Sequence, residues 1–230
     1  MKTEEINCNI CQNEPAAVIL PYDVEREYTI EDLGEVEKKP FYSFWKRFFD
    51  IIVSALALIV MALPMLIIAI VVRCTSKGPA IFKQERLGYK GRVFVMYKFR
   101  TMRLDAPNNV ASREFQDSER YITKFGRFLR KSSLDEIPQF VNVFLGQMSI
   151  VGFRPVCLTE TKLNELRATY DVFHTKPGIT GYAQVMGRDY LTMEEKALLD
   201  AKYARNRGFK LDIWCVFKTV IAVFTGEGAI

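Results

Sequence analysis

From Ile51 to Val72 the chain runs 22 residues without a charged side chain. At about 1.5 Å per residue a helix of that length reaches roughly 33 Å, enough for the hydrocarbon core of a bilayer. The segment therefore belongs in lipid. Pro64 sits near its middle, and basic residues flank both ends, Lys46 and Arg47 before it and Arg73 and Lys77 after it. A kinked spanning helix fits, because proline is tolerated in membrane helices. Balanced basic flanks around a central helix breaker fit equally well a re-entrant hairpin with both ends on one face. Both paths stay open on this pattern alone.

The flanks extend the membrane reading. Residues 41–50 interleave Phe41, Tyr42, Phe44, Trp45, Phe48 and Phe49 with Lys46 and Arg47, the composition of an interface between lipid and water. Residues 1–40 form a separate segment, polar, acidic and without hydrophobic period, and read as an N-terminal extension. Residues 1–37 hold ten acids against only Lys2 and Arg26, although the whole chain carries a formal charge of +5. The remainder is thus strongly basic, which suits phosphorylated substrates or an acidic lipid surface, with nucleic acid as a third class that charge alone does not exclude. A secretory leader is not expected, since the first apolar run comes late and follows the acids.

Five scattered cysteines are few and odd in number, against a disulfide scaffold and in keeping with a reducing compartment. Cys8 and Cys11 make one CxxC pair, but His174 is the only histidine and no second pair follows, which leaves half a zinc site.

Beyond Gly78-Pro79, residues 80–87 and 92–99 alternate as two short strands around Gly88-Tyr-Lys-Gly91, a β-hairpin. A helix is expected from near Ser118, with Arg120, Lys124, Arg127 and Lys131 along one face, either a membrane-facing or phosphate-bordering stripe or a solvated surface. Thr192 and Glu195 form a T-x-x-E capping box that opens a helix from Met193 to Arg205. Leu211 to Phe224 is apolar but interrupted by Asp212 and Lys218, too short for a span and suited to an interfacial helix. The fold class is therefore α/β, mostly helical with a small hairpin. Its parts are the extension over 1–40, a membrane segment over 41–78, and a catalytic domain over 79–230 closed by the interfacial helix.

The densest polar chemistry is Arg130-Lys-Ser-Ser-Leu-Asp-Glu-Ile-Pro-Gln139. Pro138 suits a first helical turn and places Asp135 and Glu136 at or just before a helix N-terminus over 140–145, where free N–H groups and the dipole favour anions. An ionised carboxylate beside Arg130 and Lys131 can attack phosphorus, and adjacent acids also suit a divalent cation bound partly through substrate phosphates. Ser133 and Glu136 match a capping box as well, so the acids also read as a plain helix start.

These residues stand in an ordered series. It comprises Lys46-Arg-Phe-Phe-Asp50, Pro79, Phe82-Lys-Gln-Glu-Arg-Leu-Gly88, Lys98-Phe-Arg-Thr-Met102 and Ser133-Leu-Asp-Glu-Ile-Pro-Gln139. It continues with Met148-Ser-Ile-Val-Gly-Phe-Arg-Pro155, Lys176-Pro-Gly-Ile-Thr-Gly181, Gln184 and Gly187-Arg188. The series, from Lys46 to Asp212, resembles the bacterial sugar transferases, the monotopic phosphoglycosyl transferases that start capsule, exopolysaccharide and glycoprotein glycan synthesis. The resemblance implies that Asp135 attacks the β-phosphorus of a UDP-sugar, expels UMP and passes the sugar phosphate to a polyprenol phosphate such as undecaprenyl phosphate, with Glu136 as the second acid. It implies Mg²⁺ near Asp135, phosphate contacts from Arg154, Arg130, Arg188 and Lys98, and a re-entrant helix broken at Pro64. It places the enzyme on inner-membrane lipid at the cytoplasmic face, without a nucleic-acid partner and with homo-oligomers allowed. Two positions depart from the common pattern: Leu63, where serine often precedes the proline, and Phe153, where proline is common. The rival readings are a non-catalytic membrane adaptor and a multi-span transferase working through a direct ternary complex. Which sugar is transferred is not written in these motifs.

Overall fold

The computed structural model describes residues 34–106, 118–187 and 190–225. Arg188, Cys8, Cys11 and most of the acidic extension lie outside them. The first described helix, α1, covers Pro40–Thr75 (36 residues), begins with Pro40 in its first turn and continues through Pro64. Helical backbone runs across Pro64 without interruption. Proline removes only the one bond that residue 64 would donate to the Val60 carbonyl, and a long helix can absorb that loss by bending. Along its middle, Leu56, Ile59, Val60, Leu63, Leu66 and Ile67 are exposed.

Both ends of α1 are held by the rest of the chain. Near its start, Asp50 is buried and accepts hydrogen bonds from Ser149 Oγ (3.1 Å) and Ile150 N (3.0 Å). Arg47 donates to the Val143 and Phe144 carbonyls at 2.7 and 2.8 Å. Near its end, Ile68 and Val72 pack in a cluster with Phe99 and Leu129, and the Arg100 guanidinium donates to the Lys77 and Ser76 carbonyls at 2.7 and 2.8 Å. Those carbonyls follow the last turn, where a cation also meets the negative end of the helix dipole.

Strands β1 (Ile81–Leu87) and β2 (Val93–Phe99) form the expected antiparallel hairpin, in register from Ile81 opposite Phe99 to Leu87 opposite Val93. Its connection is a 3₁₀ turn over Tyr89–Gly91, in which Lys90 and Gly91 both take positive φ (57° and 68°). Strand periodicity then sorts β2. Phe94 and Met96 face a cluster with Val143 and Met148, and Lys98 shares their face one step on. Phe99 turns the other way, toward α1.

The helix expected from Ser118 is two helices, α2 (Ser118–Tyr121) and α3 (Lys124–Lys131). Ile122 bridges to Met102, and Thr123 caps α3 by accepting from Gly126 N at 2.9 Å. The break separates Arg120 from the other cations of its stripe, and Arg127 pairs with Glu119 at 3.0 Å. Next come α4 (Gln139–Phe144), β3 (Ser149–Val151), α5 (Thr161–Thr169), β4 (Gly178–Thr180) and α6 (Tyr182–Met186). Strands β3 and β4 pair in parallel, Ser149 with Gly178 and Val151 with Thr180, a sheet too short for its alternation to stand out in sequence.

Glycines make that pairing possible. An added Cβ at Gly152 would run into the Lys176 carbonyl oxygen, and one at Gly181 into the Gly152 carbonyl oxygen. Both obstacles are backbone, so Gly152→Ala is expected to lower stability by about 3 kcal/mol, checked by thermal unfolding in detergent.

Helix α7 (Met193–Asn206) starts with the expected box, Thr192 Oγ1 accepting from Glu195 N (3.2 Å) and Glu195 Oε2 from Thr192 N (2.7 Å). Helix α8 (Phe209–Thr225) carries exposed Ile213, Phe217, Val220 and Val223 and meets the aromatic belt where Phe49 lies edge-on to Phe209. Asp212, an interruption in the apolar pattern, is the clamp between the two: it accepts from Lys46 (2.6 Å), Tyr42 Oη (2.8 Å) and Tyr203 Oη (2.7 Å).

Candidate active site

Residues 134–136 form a 3₁₀ turn just ahead of α4, not its first turn. The residue before this turn, Ser133, is left-handed (φ 55°, ψ 15°), and its side chain caps nothing. A capping serine needs extended backbone, so the box that Ser133 and Glu136 spell is not formed. The capping-box form of the helix-start reading is therefore not met, and both acids sit in the 3₁₀ turn ahead of α4.

Glu136 instead reaches across to two cations. Its Oε1 accepts from Lys98 Nζ at 2.8 Å and from Arg154 Nη2 at 2.9 Å. Charge-assisted bonds of this kind are about twice as strong as the neutral backbone bond that a cap offers. Burial alone would raise the Glu136 pKa, but Arg154 and Lys98 outweigh it and hold the carboxyl well below the usual glutamate range. Glu136 therefore stays ionised.

Asp135 differs in every respect. It is 9% exposed, and among the described residues no hydrogen bond or ion pair engages its carboxylate. Burial raises its pKa above the ordinary range; Lys98 opposes the rise most, Glu136 adds to it, and Arg130 and Arg154 oppose it. The outcome is a buried, unengaged acid within the field of three cations and beside a permanently charged neighbour, the setting in which an anionic nucleophile meets an anionic substrate.

Of the expected phosphate contacts, Lys98 and Arg154 meet directly at Glu136. Arg130 joins from the end of α3, its Nε donating to Thr101 Oγ1 at 3.0 Å. Lys131, expected at its side, is exposed. Thr101 was not singled out in sequence, nor was Arg86, which lies close enough to Glu136 and Arg154 for their charges to act on it. Arg86 Nη2 donates to Gln84 Oε1 at 2.5 Å, and Gln84 Nε2 to Cys157 Sγ at 3.3 Å. Residues 84 and 86 share a face of β1, and that alternation within Gln84-Glu85-Arg86 was the available signal.

Among the described residues no group of three or more His, Cys, Asp or Glu side chains gathers as a metal cage. A magnesium ion does not need one, since it usually takes one or two carboxylates and draws its other oxygens from phosphate and water. The open Asp135 carboxylate, with Glu136 beside it, fits such a partial set.

A family model described as bacterial sugar transferase matches residues 41–226. A UDP-glucose:undecaprenyl-phosphate glucose-1-phosphate transferase of Klebsiella pneumoniae is 41% identical over 192 residues, 80% of this chain and 41% of that protein. A protein of the same name from Escherichia coli (strain K12) is 37% identical over 215 residues, 87% of this chain and 46% of the relative. An uncharacterized sugar transferase, EpsL, of Bacillus subtilis (strain 168) is 39% identical over 186 residues, 80% of this chain and 89% of its own length. The chain thus spans less than half of the first two relatives and matches most of the third.

Proposed function

The chain belongs to the bacterial sugar transferase family, and from that premise we infer that it transfers a sugar 1-phosphate from a UDP-sugar to a polyprenol phosphate, undecaprenyl phosphate in a bacterial membrane. The observation that carries this reading is the contrast within the acid pair. Glu136 is locked between Lys98 and Arg154, whereas Asp135 stands unengaged among cations. One Asp135 oxygen attacks the β-phosphorus of the UDP-sugar, the bond from that phosphorus to the bridging oxygen breaks, and UMP leaves with the oxygen. An oxygen of the polyprenol phosphate then attacks the same phosphorus, releasing the sugar diphosphate lipid and restoring the Asp135 carboxylate.

Arg154, Arg130 and Lys98 hold the phosphates, and Arg188 is assigned the same role from the motif series. Mg²⁺ at Asp135 would neutralise charge on the bound diphosphate. Such a transfer initiates capsule, exopolysaccharide or glycoprotein glycan synthesis.

Contacts at both ends of α1 support a monotopic placement at the cytoplasmic face of the inner membrane. A straight 36-residue helix would measure about 54 Å and carry its ends to opposite sides of a bilayer. Yet Tyr42 and Asp50 at one end, and Ile68 and Val72 at the other, pack on the same polar body. With that body on one side of the lipid, these contacts support a helix that enters and returns by bending near Pro64. The exposed apolar faces of α8 and the aromatic belt lie on the lipid surface beside it.

The test is UMP release by purified protein given Mg²⁺, polyprenol phosphate and UDP-sugars one at a time. UMP is expected with one or a few of the sugars. Release of UDP in its place, or no nucleotide release with any sugar, overturns the reading.

A further inference from the structure

Behind the site lies a second charged pair that the chemistry above does not use. Arg167 on α5 and Asp200 on α7 are joined by Nε at 2.9 Å and Nη2 at 2.6 Å, both to Asp200 Oδ2. Their side chains are 3% and 1% exposed. A buried ion pair of this kind contributes little net stability, because desolvation cancels most of its attraction, and apolar replacements are often neutral or better. The pair makes one contact that an apolar replacement lacks. Arg167 Nη1 donates at 2.9 Å to the backbone carbonyl of Arg154, the residue whose side chain pairs with Glu136.

Phe153 completes the arrangement. It is buried, with the Arg167 guanidinium 5.1 Å from its ring centroid and the Phe173 ring edge-on at 5.4 Å. The aromatic ring thus gives the guanidinium a face to rest on. The carbonyl of Arg154, the ring before it and the ion pair form one contiguous unit. The Arg154 side chain itself is half exposed where it meets Glu136.

We propose that Arg167, oriented by Asp200 and Phe153, is a positioning residue that holds the Arg154 backbone so that its guanidinium reaches Glu136 and the substrate phosphates. The role in catalysis rests on the functional reading above, whereas the effect on Arg154 does not.

The decisive variant is the double substitution Arg167→Met with Asp200→Leu in the full chain, which replaces the pair by apolar groups and removes the bond to the Arg154 carbonyl. Its melting temperature is expected within about 4 °C of the parent. UDP affinity and kcat each fall at least about tenfold, and adding Arg154→Ala to the variant costs nothing more, because both changes disable one group. Parental kcat and UDP affinity in the folded variant, or full additivity with Arg154→Ala, overturns the proposal.

Arg167→Lys is the second variant, since it keeps a charge for Asp200 but lacks the second guanidinium nitrogen that reaches the Arg154 carbonyl. Unfolding of both variants also counts against the proposal, for it assigns the pair to stability alone. The activity-independent measurement is the ¹⁵N guanidinium resonance of Arg154, identified by its loss in Arg154→Lys and expected to shed its restricted, ion-paired signature in Arg167→Lys. That change in a parent protein that releases no UMP upholds the positioning and sinks the functional reading; UMP release with the resonance unchanged does the reverse.

Discussion

Asp135→Asn is expected to abolish UMP release, by about 10,000-fold or more, the order lost when an enzyme is deprived of its nucleophile. The amide has nearly the same shape but no charge and little nucleophilicity. Because no hydrogen bond among the described residues engages the Asp135 carboxylate, the substitution breaks none, and the melting temperature should stay close to the parent. Membrane association should persist too, since it is carried by α1 and α8. Incubation with UDP-sugar alone, followed by intact-mass measurement, should show an added sugar phosphate on the parent and none on the variant. Unchanged UMP release from Asp135→Asn removes the residue from the role of nucleophile and reopens direct transfer in a ternary complex.

Glu136→Gln is expected to reduce kcat by about a hundredfold with the fold intact. Glutamine keeps an acceptor oxygen for Lys98 and Arg154, but the pair of cations loses the charge that orders it, and both are proposed phosphate contacts. This variant separates catalysis from helix capping cleanly. In a capping box glutamine serves as well as glutamate, so a cap would leave kcat unchanged. Parental kcat in Glu136→Gln, at parental stability, would therefore return the acid to a structural part.

How far the sequence reaches is clearest in features governed by near neighbours. Residues 80–99 form the hairpin because alternating strands and a glycine-bounded turn are written within 20 residues of chain. The Thr192–Glu195 box forms because its partners are three residues apart and nothing else competes for them. Ser133 and Glu136 carry the same spelling and form no box. The difference is that Glu136 lies beside Lys98, 38 residues upstream, and Arg154, 18 downstream, and their two charged bonds outweigh a cap. Likewise, one helix expected from Ser118 became two because Ile122 found a bridging partner in Met102, an interaction that no helical periodicity records.

By itself the sequence set out an uncharged run of 22 residues, long enough for a bilayer core, and placed Asp135 and Glu136 within an ordered series of motifs that resembles the bacterial sugar transferases. Tertiary structure decided the rest. It carried α1 through Pro64, because a helix packed at both ends tolerates one missing bond. It also divided the two acids, giving Glu136 its pair of cations and leaving Asp135 unengaged, because those cations arrive from β2 and the segment after β3. Electrostatic environment is set by distance in space, and only the folded chain supplies that distance.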